Sequence, residues 1–227
     1  MNDILSFCPE LPMLSGVGEF SGEPDSAQKV FALSTVNNLV VLRNLFIEIM
    51  PKRTLEVGLG PGGSAMLFTA SHRGAGRPPM AQHTAIDPVQ TSLWKDGALA
   101  ALENVGLRGY LDFRADFSSI ALPMLIREGA KFELIYIDGS HFFDDVFVDF
   151  YFTTQLLADD GIVAFDDSTD SHVRKVLRFI RTNCGCLRPV DLSRYRADKG
   201  RSLRYRAAKA LGRTQLTAFR KIGPYIR

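Results

Sequence analysis

The sequence predicts a three-layer α/β sandwich, in which a mainly parallel sheet of seven strands lies between two layers of helices. Two observations carry this. From Arg53 onward, short apolar runs alternate with longer amphipathic stretches, the pattern of strands joined by helical crossovers. The chain is also long enough for one well-filled core, with 227 residues and 46% hydrophobic content. No run approaches the about eighteen consecutive apolar residues of a bilayer-spanning helix, and MNDILSFCPELP has no basic region followed by an apolar run. The expectation is therefore a cytoplasmic protein without a membrane span.

Ahead of the sheet, Ala27 to Met50 reads as one long helix. Val30, Leu33, Val36, Val40 and Phe46 lie on its apolar stripe, and Pro51 marks its end. Residues 1–26, rich in Gly, Pro and Ser, read as a loop or lid. Residues 1–52 are thus an N-terminal loop and helix, and 53–227 the main domain. Strands are expected near 53–58, 82–87, 110–114, 132–138, 161–166, 185–190 and 216–222. Helices are expected at 63–72, 92–105, 118–129, 144–158 and 171–183, each opening close to a Ser, Thr, Asp or Gly.

Cys8, Cys184 and Cys186 form no zinc-ligand pattern and read as buried free thiols. The net charge of +2 conceals an asymmetry. Residues 188–227 hold 12 Lys or Arg against Asp191 and Asp198, so this tail carries +10 and the rest −8.

The most informative segment is Leu55-Glu56-Val57-Gly58-Leu59-Gly60-Pro61-Gly62-Gly63-Ser64, a strand running through a glycine turn into a helix. Such a turn lets the backbone pass close beneath a ligand. Gly58, Gly60 and Gly63 fit G-x-G-x-x-G, so a dinucleotide-binding oxidoreductase also matches. Glu56, two residues before the first glycine, shifts the balance. With it the segment resembles the first motif of the class I S-adenosylmethionine-dependent methyltransferases, an acid followed by G-x-G-x-G ending at Gly62, and the resemblance covers about residues 30–222.

The resemblance implies a Rossmann-like fold whose sixth strand is parallel and whose last strand is antiparallel. It implies S-adenosylmethionine as cofactor, bound at Gly58, Gly60, Gly62, Gly63 and Ser64, with Glu56 fixing its amino group. Asp87, ending strand two, would hold the ribose hydroxyls, since one carboxylate accepts from two vicinal OH groups. Asp116 would contact the adenine amino group, and Phe117 would flank the ring.

Ligands of open parallel sheets bind at the carboxyl ends of the strands. Strand four ends in Ile137-Asp138-Gly139-Ser140-His141 and strand five in Phe165-Asp166-Asp167. If Asp138, Asp166 and Asp167 converge, their repulsion calls for a hard cation, and Mg²⁺ is the expected ion. It would lower the pKa of a substrate hydroxyl, and His141 would take the proton as general base. The I-D-G-x-H run resembles the metal-dependent sugar O-methyltransferases that act on macrolides and other glycosides. In that branch Asp138, Asp166 and Asp167 correspond to the metal ligands and His141 to the base, while Asp138 also borders the cofactor. His72, His83 and His172 have no such setting and are expected on surfaces, with His172 near enough to reach the site.

The connection at about 191–215 holds Arg194, Arg196, Lys199, Arg201, Arg204, Arg206, Lys209 and Arg213 beside Tyr195 and Tyr205. It reads either as a solvated basic segment or as a surface that draws in an anionic glycan, phosphate or nucleotide-linked sugar. The expected partner is a small hydroxylated acceptor, anionic or a glycoside, rather than nucleic acid; whether the chain forms a homo-oligomer is open. The competing readings are an NAD(P)-dependent oxidoreductase, a non-catalytic binder of nucleic acid or anionic surfaces, and a relative that hydroxylates instead of methylating.

Overall fold

The computed structural model describes residues 8–11, 36–197 and 199–224. In chain order its elements are α1 (Val36–Ile49), β1 (Thr54–Val57), α2 (Gly63–Gly74), β2 (His83–Ile86), α3 (Gly97–Asn104), β3 (Leu111–Arg114), α4 (Ser118–Arg127), β4 (Phe132–Ile137), α5 (Phe143–Leu156), β5 (Leu157–Phe165), α6 (Ser171–Asn183), β6 (Leu187–Pro189), α7 (Leu203–Ala210) and β7 (Thr217–Lys221). All seven expected strands and five crossover helices form. Val30, Leu33 and the expected lid, apart from residues 8–11, lie outside the described residues.

The strands lie in the order β3-β2-β1-β4-β5-β7-β6. The first five pair in parallel, and β7 runs antiparallel between β5 and β6. Both faces of the sheet are covered, which is why its strands read as continuous apolar runs rather than alternating ones. Leu134, Tyr136, Ile162 and Ala164 face the core under α1, α2 and α3. Ile135, Ile137, Val163 and Phe165, their neighbours in sequence, face the core under α4, α5 and α6. The period of two in strand side chains thus assigns each residue of β4 and β5 to one layer.

Two boundaries differ from the sequence reading. β5 begins at Leu157 rather than near 161, because the β4–β5 register jumps from Phe132↔Leu157 to Leu134↔Ile162. The irregularity is taken up at Asp160, with φ of 61°, and at Gly161, where a Cβ would come within 2.9 Å of the Ala158 carbonyl. α3 begins at Gly97, since Lys95 and Asp96 hold left-handed conformations that no helix continues through. Of the crossover helices only α6 has a side-chain cap, with Asp170 accepting from the amides of His172 and Val173.

His72 and His83 are fully buried, not on surfaces. They share the Thr54 hydroxyl, at 3.0 Å from His72 Nε2 and 2.9 Å from His83 Nδ1. That hydroxyl holds a single proton, so at least one of the two imidazoles donates to it. His83 Nε2 in turn lies 3.3 Å from Glu56 Oε1. Burial pushes the His72 pKa down to about 3, with the nearby His83 and Arg77 adding to the shift, so the ring is neutral across the physiological range. His172 is half-buried and its Nδ1 accepts from the Phe143 amide at 3.3 Å. All three cysteines are free; Cys8 and Cys184 are buried and Cys186 is partly exposed. Among the described residues, no helix is long and apolar enough to cross a membrane.

Asp149 on α5 is a buried acid whose burial bears on stability. Burial raises its carboxyl pKa from the ordinary 3.8 to about 6, against a hydrogen bond from Ser118 that favours ionisation. A raised acid pKa means that the folded state holds a proton the unfolded chain has released. Stability therefore falls as pH rises from about 4 to about 6 and stays lower above that. At about 1.4 kcal/mol per unit, the cost near neutrality is on the order of 3 kcal/mol. Asp149→Asn should raise the melting temperature at pH 7.5 and flatten its decline between pH 4 and 6; a variant curve parallel to that of the wild type would assign the decline elsewhere.

Candidate functional site

The sheet's hydrogen-bond ladder continues beyond its strands at the carboxyl edge. Gly58 N donates to Ile86 O (2.8 Å), Asp87 N to Arg114 O (3.1 Å), Asp138 N to Val57 O (2.9 Å) and Asp166 N to Ile137 O (3.0 Å). These bonds align the glycine turn and three acids along one edge. The closest approach is at Gly58, whose φ is +93° and where a Cβ would sit 2.3 Å from the carbonyl oxygen of Asp138. Only glycine allows both the conformation and the contact.

A cavity of about 650 Å³ opens above this edge. Of the residues expected to hold the cofactor, Gly58, Gly60, Gly63, Ser64, Asp87, Phe117 and Asp138 line it. Glu56, Gly62 and Asp116 do not. Glu56 is buried and directed at His83, because it shares with Thr54 the face of β1 opposite to Leu55 and Val57. Gly62 forms the left-handed corner that starts α2. Asp116 accepts from the Phe117 amide at 2.8 Å beside the cavity. Asp87 is more than a cavity wall. Its Oδ2 accepts from the amides of Leu59 (3.2 Å) and Gly60 (2.8 Å), and its Oδ1 from that of Val89 (2.8 Å), so it props the glycine turn open. Gln90 assists by donating to the Gly60 carbonyl at 2.8 Å. Sequence reasoning missed Trp94, Leu93 and Val89, which complete the wall; the only signal was their position just after the strand-two acid.

At the other end of the cavity, Asp138, His141 and Asp167 offer ligand atoms all within 4.8 Å of one another, a set able to hold a hard cation. This differs from the expected trio of Asp138, Asp166 and Asp167. The Asp166 carboxylate is buried and engaged on all sides. Asn38 Nδ2 donates to both oxygens (2.8 and 3.0 Å), the Asp167 amide donates to Oδ1 (2.8 Å), and the Tyr136 hydroxyl bonds Oδ2. Burial raises its pKa in spite of these bonds. Tyr136 also lies 3.0 Å from Asp138 Oδ2 and so ties the two acids together. Neither Asn38 nor Tyr136 carried a sequence signal, since both lie within apolar stretches that read as core.

Asp167 turns outward with φ of 44°. His141 Nε2 meets its Oδ2 at 2.9 Å, and Gln215 donates to its Oδ1 at 2.6 Å. The hydrogen bond to Asp167 raises the pKa of His141 and lowers that of Asp167, with Asp138 and Asp170 adding to the rise on the imidazole. Both side chains remain partly exposed to the cavity.

Gly58→Ala should destabilise the ligand-free protein by about 3 kcal/mol or more, because backbone atoms on both sides must separate. Gly60→Ala meets nothing within 4 Å and should cost only about 1–2 kcal/mol for its left-handed φ. Equal losses in thermal melts of the two variants would contradict this.

Comparison with known proteins accords with this geometry. The family described as "Methyltransferase domain" matches residues 55–168, half of the chain and the span from β1 to the end of the strand-five loop. Among solved structures, the O-methyltransferase TomG of Streptomyces achromogenes, solved with S-adenosylmethionine, superposes with a TM-score of 0.63 at 19% identity, over 78% of this chain and 81% of that one. The Bacillus cereus O-methyltransferase, in complex with S-adenosylhomocysteine, gives 0.63 at 15% identity over 80% and 82%. The Podospora anserina methyltransferase PaMTH1, also bound to S-adenosylhomocysteine, gives 0.66 at 13% identity over 97% and 94%. A sequence search of curated proteins finds no significant match. The family match spans the glycine turn, Asp87 and both acidic strand ends, and the chain belongs to the methyltransferase-domain family as a class I S-adenosylmethionine-dependent methyltransferase.

Proposed function

We propose that this methyltransferase acts on oxygen: it moves the sulfonium methyl to a hydroxyl of a small acceptor, with Mg²⁺ beside the acceptor. The observation that carries this reading is the convergence of Asp138, His141 and Asp167 at one end of the cavity whose other end is the glycine turn. Solved structures with the same fold are named O-methyltransferases.

The residues present suit both groups. The cavity volume lies in the range of small-molecule sites, and the Asp87 carboxylate and Ser64 hydroxyl that line it offer hydrogen-bonding groups for a ribose diol and an amino acid head. S-adenosylmethionine supplies an electrophilic methyl group. The cation supplies positive charge that eases deprotonation of a nearby hydroxyl. Asp138 and Asp167 would hold it, and their mutual repulsion favours such an ion. Asp166 stands behind them as a positioning residue and sets the direction of Asp167. His141 would exchange its bond to Asp167 for the acceptor hydroxyl and take up its proton, and the cavity walls would hold oxygen and methyl in line. A vicinal diol of a sugar or glycosylated natural product is the acceptor class we favour, since two adjacent oxygens can share one hard cation.

Calorimetric titration with S-adenosylhomocysteine and NAD⁺, with Mg²⁺ or EDTA, tests the reading. S-adenosylhomocysteine should bind the wild type, and Asp87→Ala should weaken it at least about tenfold, one to two hydrogen bonds' worth. Preference for NAD⁺ would return the glycine turn to the oxidoreductases. His141→Ala should retain both S-adenosylhomocysteine and Mg²⁺ and lose about 10²-fold or more in methyl transfer, the contribution of a general base; loss of Mg²⁺ binding instead would make His141 a metal ligand. Asp138→Asn and Asp167→Asn should lose Mg²⁺ and leave S-adenosylhomocysteine affinity within about threefold, since their charge serves the cation.

A further inference from the structure

A second cavity, of about 320 Å³, adjoins the first. Gln215 lines both, and the same side chain donates to Asp167. Asn38, which holds Asp166, lines the second cavity as well. The two cavities are therefore joined through the residues that set the acidic cluster.

Their charges are opposite. The first cavity is walled by Asp87, Asp138, Asp145, Asp166 and Asp167, whereas Arg196, Arg204 and Arg213 line the second and no described carboxylate does. Arg196 lies over the Tyr205 ring at 4.1 Å from guanidinium carbon to centroid. Arg204 and Arg213 form no side-chain hydrogen bond or ion pair among the described residues, in contrast to Arg194 and Lys209 of the same segment, which pair with Glu48 and Asp191. Arg204 and Arg213, like-charged and lining one cavity, repel each other in the absence of an anion.

The arginine wall is held in place from below. Tyr195 is buried, its hydroxyl bonds Glu48 at 2.8 Å, and Asn44 donates to its carbonyl at 2.7 Å, so α1 anchors the segment from which the arginines project. α7 itself buries no residue. Packing alone therefore does not account for its arginines.

We propose that this cavity is an oxyanion subsite of the methyl acceptor: Arg204 and Arg213, with Arg196, bind a phosphate or carboxylate group of the molecule whose hydroxyl is presented to Asp138, His141 and Asp167. The inference rests on the methyl-transfer reading and narrows it to anionic hydroxylated acceptors, such as a sugar phosphate or a sugar acid. Guanidinium forks pair with either oxyanion through two parallel N–H···O bonds, which fixes orientation as well as charge.

The test is a calorimetric titration at low ionic strength and in EDTA, with inorganic phosphate and, separately, acetate, on wild type and on Arg204→Ala/Arg213→Ala. Both samples are also titrated with S-adenosylhomocysteine. The expected result is saturable one-to-one binding of at least one oxyanion by the wild type, weakened about tenfold or more in the double variant, with S-adenosylhomocysteine affinity and melting temperature unchanged. Tighter phosphate binding would identify a phosphorylated acceptor, and tighter acetate binding a carboxylate. Binding should also weaken as salt is raised. Absence of saturable binding of either anion, or equal binding by the double variant, would overturn the subsite. A protein that binds oxyanion through these arginines but not S-adenosylhomocysteine would overturn the methyl-transfer reading and leave the anion site standing.

Discussion

The site depends first on the backbone contact between Gly58 and Asp138. β1 and β4 are central neighbours in the sheet, and their chains leave it side by side, with Asp138 N bonded to Val57 O and the Gly58 α-carbon against the Asp138 carbonyl. This contact sets the distance between the glycine turn at one end of the cavity and the first acid of the cluster at the other, the two ends that the proposed methyl transfer would use. Methyl transfer needs those two ends in register to within a fraction of an ångström, because direct displacement requires donor carbon and acceptor oxygen in line. A rigid parallel sheet supplies that register; the long loops above it could not.

A second constraint comes from burying the Asp166 carboxylate. A buried carboxylate is costly unless it is hydrogen-bonded, and here Asn38 of α1, Tyr136 of β4 and the Asp167 amide satisfy it. The result ties the N-terminal helix to the active edge and places Asp167 in a left-handed conformation that directs its side chain to His141 and Gln215. Strain of about 1–3 kcal/mol at such a residue persists only where its surroundings enforce it. Two adjacent aspartates thus differ in setting: Asp166 is a buried anchor, and Asp167 faces the cavity beside His141.

The same helix joins the two halves of the charge distribution. Residues 188–227 carry a net charge of +10 against −8 for the rest of the chain, and their anchor on α1 through Glu48 and Asn44 sets an arginine-lined cavity directly against an acidic one. An acceptor that spans both would have an oxyanion at one end and a hydroxyl near a cation at the other, so charge alone would fix its direction of entry.

Much of this was legible in the sequence because it depends on short-range rules. The alternation of apolar runs and amphipathic stretches located all seven strands, and Gly58, Asp87, Asp138 and Asp167 could be placed at the cavity because ligands of this sheet type bind at the carboxyl ends of the strands. What the sequence determined by itself is the order of elements, the glycine turn and the acidic residues that end the strands. Tertiary structure decided the rest: that Glu56 turns to His83 and not to the cavity, that His72 and His83 are buried around Thr54, that Asp166 withdraws into a knot with Asn38 and Tyr136, and that Arg204 and Arg213 share a cavity next to Gln215. The physical reason is that local pattern sets a residue's element and face, whereas its partners come from distant chain segments, 128 positions away for Asn38 and Asp166 and 151 for Asn44 and Tyr195, whose approach only the packed layers define.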